Sequence, residues 1–283
     1  VPVRRALIAA LPSSLLAACT PLGAFNALSP RAPGVRRAGA DIAYGSLPRQ
    51  RLDVYAPVDA DRAPVLVFLY GGSWDSGRRQ DYAFAGRAFA ARGFVTVVPD
   101  YRLTSEAPYP AFLQDCAAAV AWAQGHVARF GGDPARMALA GHSAGAYNAA
   151  MLAMDERWLA AAGAPRPRAW TGLSGPYDFL PLTPGAGLRT FGAVEDLPST
   201  QPITFASAGD PPAFLATGDK DVTVRPRNTR RLAERLRAAG VEVQDRVYPG
   251  AGHAELVLAL SWPLSRRWRV LEDATQFLHR ALA

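Results

Sequence analysis

The stretch Gly141-His142-Ser143-Ala144-Gly145 has the form G-x-S-x-G, with an apolar run from Met137 to Ala140 before it and Ala-rich, helix-prone residues to Met154 after it. Strand, tight turn and helix are therefore expected in the order that lifts a serine hydroxyl clear of a sheet. Gly141 and Gly145 remove the Cβ atoms that would clash where strand and helix approach around a strained serine. In a chain this rich in Gly, Ala and Ser, the pentapeptide by itself fits an ordinary turn equally well, and its meaning depends on context.

A serine becomes a nucleophile only with a base in reach and a carboxylate to orient that base. The chain has four histidines. His142 adjoins the serine and is expected to point away from it. His126 falls on the helix before the elbow strand and His279 in the terminal helix, both structural or solvated positions. His253 is left, in the glycine-rich turn Pro249-Gly250-Ala251-Gly252 directly after the last predicted strand. The carboxylate is expected one loop earlier, where Asp219 and Asp221 both stand. The G-x-x-D-x-x-V arrangement favours Asp221, with Val222 and Val224 packing that loop against the core.

Acyl transfer also needs donors for a tetrahedral oxyanion. The Ala144 amide opens the elbow helix, where the helix dipole favours negative charge. Tyr70-Gly71-Gly72-Ser73-Trp74 follows a core strand and offers further amides, and Trp74 is as suited to core packing as to walling a pocket.

Strands and helices must alternate to place these groups together. Predicted strands lie at 42–44 and 51–55, forming a hairpin, then at 64–69, 94–98, 137–140, 169–173, 213–217 and 241–247. Predicted helices lie at 80–92, 112–130, 144–154, 228–239 and 268–282. The run Pro64-Val65-Leu66-Val67-Phe68-Leu69 is apolar at every position, as in a parallel strand covered on both faces. The alternation implies a parallel sheet with right-handed crossovers. Residues 175–212 interrupt it with seven prolines and five glycines. An insertion of that length is expected to act as a small lid or pocket wall.

At 283 residues, the chain is long enough for one large core and short for two. Its +7 net charge rests on arginines scattered along the chain, with Lys220 the only lysine, which reads as a solvated basic surface and not a nucleic-acid site. At the N-terminus, Arg4-Arg5, the apolar stretch to Ala18, and Leu16-Ala17-Ala18-Cys19 have the tripartite build of a secretory signal ending in a cysteine. That end resembles a bacterial lipobox. It implies a signal peptide at 1–18, an acylated Cys19, a tether over 19–40 and a domain from 41 to 283. The address would be the bacterial cell envelope, periplasm-facing on the outer membrane. Cys116 would be the one cysteine left in the domain, and its Ala-rich helical surroundings fit a buried small hydrophobe.

Taken together, the motifs resemble an α/β-hydrolase of the esterase and lipase group, in the branch with an H-G-G-x-W oxyanion motif found in carboxylesterases and kynurenine formamidases. The resemblance runs from about Asp41 to the C-terminus: Y-G-G-S-W at 70–74, P-D-Y-R-L at 99–103, F-G-G-D-P at 130–134, G-H-S-A-G at 141–145, G-D-K-D at 218–221 and G-A-G-H at 250–253. It implies an α/β-hydrolase fold, a mostly parallel doubly wound sheet flanked by helices. It also implies a triad of Ser143, Asp221 and His253, oxyanion donors from the amides of Gly72, Ser73 and Ala144, and a supporting role for Asp100, Tyr101 and Arg102. Tyr70 stands where the family has histidine and, with Trp74, is expected in the substrate pocket. The implied reaction is hydrolysis of short-chain or aryl carboxylic esters through an acyl-enzyme, without metal or cofactor. Arylformamidase activity is the alternative within that mechanism, and a non-catalytic envelope binding protein is the alternative outside it.

Overall fold

The computed structural model describes residues 21–283, so the features at 1–18 and Cys19 lie outside the described residues. Helix α1 (Pro21–Leu28) precedes strands β1 (Val35–Ala43), β2 (Arg51–Pro57) and β3 (Ala63–Leu69). Helix α2 (Ala83–Ala90) leads to β4 (Val95–Pro99), α3 (Ala111–His126) to β5 (Gly132–His142), and α4 (Ala144–Met154) with α5 (Glu156–Ala161) to β6 (Ala169–Leu173). After α6 (Ala186–Phe191) come β7 (Ala213–Gly218), α7 (Arg227–Ala238), β8 (Val243–Tyr248), α8 (His253–Leu258) and α9 (Val270–Ala281).

The strands form one sheet in the order β1-β2-β4-β3-β5-β6-β7-β8. The pairs β1–β2 and β2–β4 are antiparallel, and every pair from β4 to β8 is parallel. This is the α/β-hydrolase fold that the resemblance implies. Residues 64–69 of β3 and all of β4, β6 and β7 are buried, as continuous apolar strands between helical layers must be. Amphipathic α7 shows the complementary pattern: Leu232, Ala233 and Leu236 face inward, and arginines line its outer face. Ser143, Asp221 and His253 follow β5, β7 and β8, so all three lie beyond the carboxyl ends of parallel strands, where such folds bind ligands.

The sequence reading starts the fold at Asp41, but the sheet begins at Val35, which pairs with Pro57. Part of the expected tether is therefore strand. Upstream, Phe25 of α1 meets Phe84 edge-on at 5.1 Å, a contact that eight residues of helix are too short to announce by periodicity. The expected helix at 80–92 is divided into a 3-10 turn, Arg79–Tyr82, and α2. The Arg79 amide is used on the Asp100 carboxylate at 2.6 Å, which fixes that tight first turn. Helix α8 starts at His253 within the expected loop, and its Leu256 and Val257 are buried.

Candidate active site

Ser143 has φ +55° and ψ −123°, a conformation that costs on the order of 1–3 kcal/mol outside a structure that enforces it. The surroundings leave no alternative. A Cβ on Gly141 would lie 2.2 Å from the Gly145 carbonyl oxygen, and one on Gly145 would lie 2.0 Å from that of Leu69. The glycines thus let α4 start against β5 and β3, and Ser143 caps the junction with its hydroxyl turned outward.

His253 Nδ1 is 2.8 Å from Asp221 Oδ2, and its Nε2 is 2.9 Å from Ser143 Oγ. A carboxylate only accepts, so Nδ1 carries the proton and Nε2 offers its lone pair to the serine hydroxyl. The other Asp221 oxygen accepts from the Thr223 and Val224 amides at 3.0 and 2.8 Å. Burial raises the Asp221 pKa, but the His253 bond and charge and the Val224 amide outweigh it and hold the carboxyl below its ordinary value. The loop is not packed as the sequence suggests: Val224 is buried, whereas Val222 is 88% exposed. Asp219 has different work. Its Oδ1 accepts from the Gly250 amide at 2.7 Å and ties the aspartate loop to the histidine loop.

His142 does not turn away from the site. Its ring is buried, with Nε2 3.0 Å from the His253 carbonyl oxygen and the two imidazole centroids 4.9 Å apart. A carbonyl accepts, so His142 donates from Nε2, and its buried Nδ1 has no partner among the described residues. Burial, and then the nearby His253, push its pKa down to about 3. The other two histidines are exposed and lie away from the site: His126 meets the Trp122 carbonyl at 2.7 Å and His279 that of Arg92 at 2.9 Å.

Ser73 and Ala144 line the cavity beside Ser143. Gly72, at φ +138°, shapes the loop by accepting from the Asp75 and Ser76 amides at 3.1 and 3.0 Å. Tyr70, expected in the substrate pocket, is instead fully buried under the loop and lines no part of the cavity. Its ring lies between Tyr82 and Tyr101 at 5.3 and 4.6 Å, and its hydroxyl donates to Asp100 at 3.0 Å. The Tyr101 hydroxyl donates to the Tyr70 carbonyl at 2.7 Å, so Asp100 and Tyr101 both hold the loop, whereas Arg102 chelates Asp115 of α3 at 2.8 Å and does not reach it. Beneath them, Arg79 joins Asp41, Asp53 and Asp100 in a cluster that is mostly buried. Scattered arginines in the sequence read as solvated surface; Arg79 is not.

The cavity measures about 330 Å³, near the lower end for small-molecule sites, and among the described residues no ionised side chain lines it. Trp74 forms one wall, while Phe179 and Leu182 of the insertion form another. The insertion is anchored in several places. Phe191 meets Trp74 edge-on at 5.0 Å, Arg189 pairs with Asp75 at 2.7 Å, and Asn228 Oδ1 accepts from the Tyr177 and Asp178 amides at 3.0 and 2.9 Å.

Residues 111–283, more than half of the chain, match the family model described as the prolyl oligopeptidase family, and residues 52–161 match the one described as BD-FAE. The chain belongs to the prolyl oligopeptidase family of α/β-hydrolases. This α/β-hydrolase is 31% identical over 236 residues to esterase LipC of Mycobacterium tuberculosis, covering 75% of its own length and 58% of the relative's. It is 28% identical over 270 residues to a probable isoprenylcysteine alpha-carbonyl methylesterase of Oryza sativa subsp. japonica, covering 84% and 62%. The chain therefore spans about three fifths of the curated relatives it matches. Among solved structures, it resembles a propionate-bound thermophilic esterase from the Planctomycetes species Thermogutta terrifontis, with TM-score 0.71, 26% identity, and coverage of 89% of this chain and 96% of the other.

Two further features of the chain are barely marked in its sequence. Asn148, on α4, accepts from the Trp74 indole at 3.1 Å and contacts the buried Cys116 thiol at 3.6 Å. Its one signal is an isolated amide in an otherwise apolar helix. The Arg79 cluster is foreshadowed only by Asp53 inside one β-prone run and Asp100 at the end of another, where a buried carboxylate requires a partner.

Proposed function

We propose that this chain is a serine hydrolase that cleaves carboxylic esters through an acyl-enzyme. The observation that carries the reading is the unbroken chain from Asp221 Oδ2 through His253 to Ser143 Oγ, with contacts of 2.8 and 2.9 Å, opening on an uncharged cavity. Ser143 Oγ attacks the ester carbonyl while His253 Nε2 takes its proton. Asp221 orients the imidazole and stabilises the charge it gains. The amides of Gly72, Ser73 and Ala144 receive the oxyanion. His253 then returns the proton to the departing alkoxide, and a water activated by the same base cleaves the acyl-serine ester.

The cavity's small size and uncharged lining favour short or aryl acyl groups over long chains and charged acids. Turnover of short-chain p-nitrophenyl esters, with Ser143→Ala as the blank, tests the reading. Loss of turnover in a folded variant, and labelling of Ser143 by a fluorophosphonate, are expected. Undiminished turnover by Ser143→Ala would refute it.

The proposal includes an address. Arg4-Arg5, the apolar stretch and Leu16-Ala17-Ala18-Cys19 support lipidation of Cys19 and a periplasm-facing position on the envelope membrane. Among the described residues no helix is long and apolar enough to cross a membrane. Cys19→Ser is expected to move the protein from the membrane fraction to the soluble one, and unchanged fractionation with no lipid on Cys19 rules the anchor out.

A further inference from the structure

We propose that His142 is the positioning residue of the base: it grips His253 by the backbone carbonyl and by the ring, so that the strand carrying the nucleophile also sets the aim of the imidazole. The inference rests on the serine-hydrolase reading and adds a residue to it. His142 is the last residue of β5 and Ser143 follows it, whereas His253 opens α8 on a separate loop. Between these two segments the structure places one side-chain-to-backbone hydrogen bond, 3.0 Å from His142 Nε2 to the His253 carbonyl oxygen, and one ring contact at 4.9 Å.

The loop needs such a grip. Its Pro249-Gly250-Ala251-Gly252 lead-in contains two glycines and little intrinsic stiffness. On the side before the base, the Lys220 amide holds the Ala251 carbonyl at 3.0 Å and Asp219 holds the Gly250 amide at 2.7 Å. Both ties stop short of residue 253. The His142 donor acts on His253 itself, two bonds from the Cα that carries the imidazole. With Asp221 fixing Nδ1 and His142 bracing the ring, Nε2 is left directed at Ser143 Oγ.

The residue type follows from what His253 becomes. During attack the imidazole gains a positive charge, so a lysine or arginine donor beside it would repel the charged base. A buried histidine that stays neutral supplies an N–H without that penalty. The space is also closed. A Cβ on Gly71, in the oxyanion loop, would lie 3.1 Å from His142 Nδ1 and 3.0 Å from Ser143 Cβ. His142 is therefore wedged between the oxyanion loop and the base, and it lines no part of the substrate cavity. Its action is through His253.

The test uses the full chain and three substitutions, His142→Gln, His142→Ala and His142→Phe, with p-nitrophenyl butyrate and a fluorophosphonate probe. A misplacement of about 1 Å in a catalytic group costs on the order of 10²-fold. His142→Ala is expected to lower kcat by about that factor, with KM within about twofold, and to slow labelling of Ser143 in parallel. His142→Phe keeps an aromatic ring but no donor, and is expected to be as slow. His142→Gln restores an amide donor and is expected to recover kcat to within about fivefold of the parent. All assays run below each variant's own melting temperature, so lost stability does not pass for lost aim. The proposal is overturned if His142→Ala or His142→Phe keeps the parent kcat, if KM moves in place of kcat, or if His142→Gln is as slow as His142→Ala. A parent protein whose Ser143 takes no probe and that cleaves no ester refutes the hydrolase reading itself.

Discussion

The Trp74 indole donates to Asn148 Oδ1 at 3.1 Å, which fixes a pocket wall to the helix that starts beside Ser143. Trp74 is only 4% exposed, and it meets Tyr147 and Phe191 edge-on at 5.1 and 5.0 Å. A side chain held from so many directions makes a hard stop for the acyl group. Trp74→Ala is expected to shift the kcat/KM optimum along a C2–C8 p-nitrophenyl ester series toward longer chains. Each added methylene that gains a pocket is worth about 1–3 kcal/mol, or roughly 10-fold or more. The same substitution is expected to cost about 3–5 kcal/mol of stability, read by chemical denaturation. An unchanged chain-length profile would remove Trp74 from the acyl pocket.

The two aspartates after β7 are expected to separate cleanly. Asp221→Asn leaves the shape intact but presents an N–H where His253 Nδ1–H needs an acceptor, and kcat is expected to fall by roughly 10⁴-fold. Asp219→Asn keeps an oxygen for the Gly250 amide and is expected to stay within about threefold of the parent. Steady-state kinetics of the pair decide the assignment, and equal losses would undo it.

Acid stability is expected to carry the signature of His142. The unfolded histidine titrates near pH 6.5, and in the folded protein that pKa is pushed down to about 3. Between those values the unfolded chain binds a proton that the folded chain refuses. Stability is therefore full above about pH 6.5 and falls as the pH drops toward 3. His142→Gln is expected to flatten this decline by up to about 1.4 kcal/mol per pH unit, measured from urea transitions at several pH values. Asp221 acts lower: its contribution is present above the ordinary carboxylate pKa of 3.8 and is lost as pH falls through its depressed folded value.

Arg79 is expected to matter for folding more than its place in a Gly-Arg-Arg run suggests. Its side chain is 7% exposed against Asp53 and Asp100, at 1% and 7%. Arg79→Met takes the guanidinium from both carboxylates and leaves Asp53 to Arg37 and Asp100 to the Tyr70 hydroxyl, and removing one partner of a buried pair costs up to about 3–5 kcal/mol. Calorimetry should show a melting temperature lower by roughly 10 °C. A shift of only a degree or two would mean that the cluster contributes little.

The parallel sheet was legible because its strands are apolar on both faces and its helices carry their own stop signals, such as Gly93 and Gly240. Ser143, Asp221 and His253 were legible because each follows a recognisable strand in a glycine-marked loop. What escaped depends on contacts between distant segments. Nothing in Gly141-His142-Ser143 says that His142 reaches a carbonyl 111 residues away. Nor does Tyr70 reveal from its neighbours that Asp100 and two stacked tyrosines draw it under the loop. Val222 is the opposite case: an apolar side chain at a turn suggests packing, but it stays exposed and Val224 alone packs.

The insertion leaves the sheet after β6 and returns before β7, so its length is free of the register that places Ser143, Asp221 and His253. Phe179, Leu182 and the turn before α6 are borrowed by the cavity from a segment that no strand pairing constrains. Exchanging residues between the Asn228-bound amides of Tyr177 and Asp178 and the Thr200 carbonyl that receives the Tyr147 hydroxyl at 2.8 Å would re-tailor the mouth as a cassette, leaving the reacting groups on their original mountings.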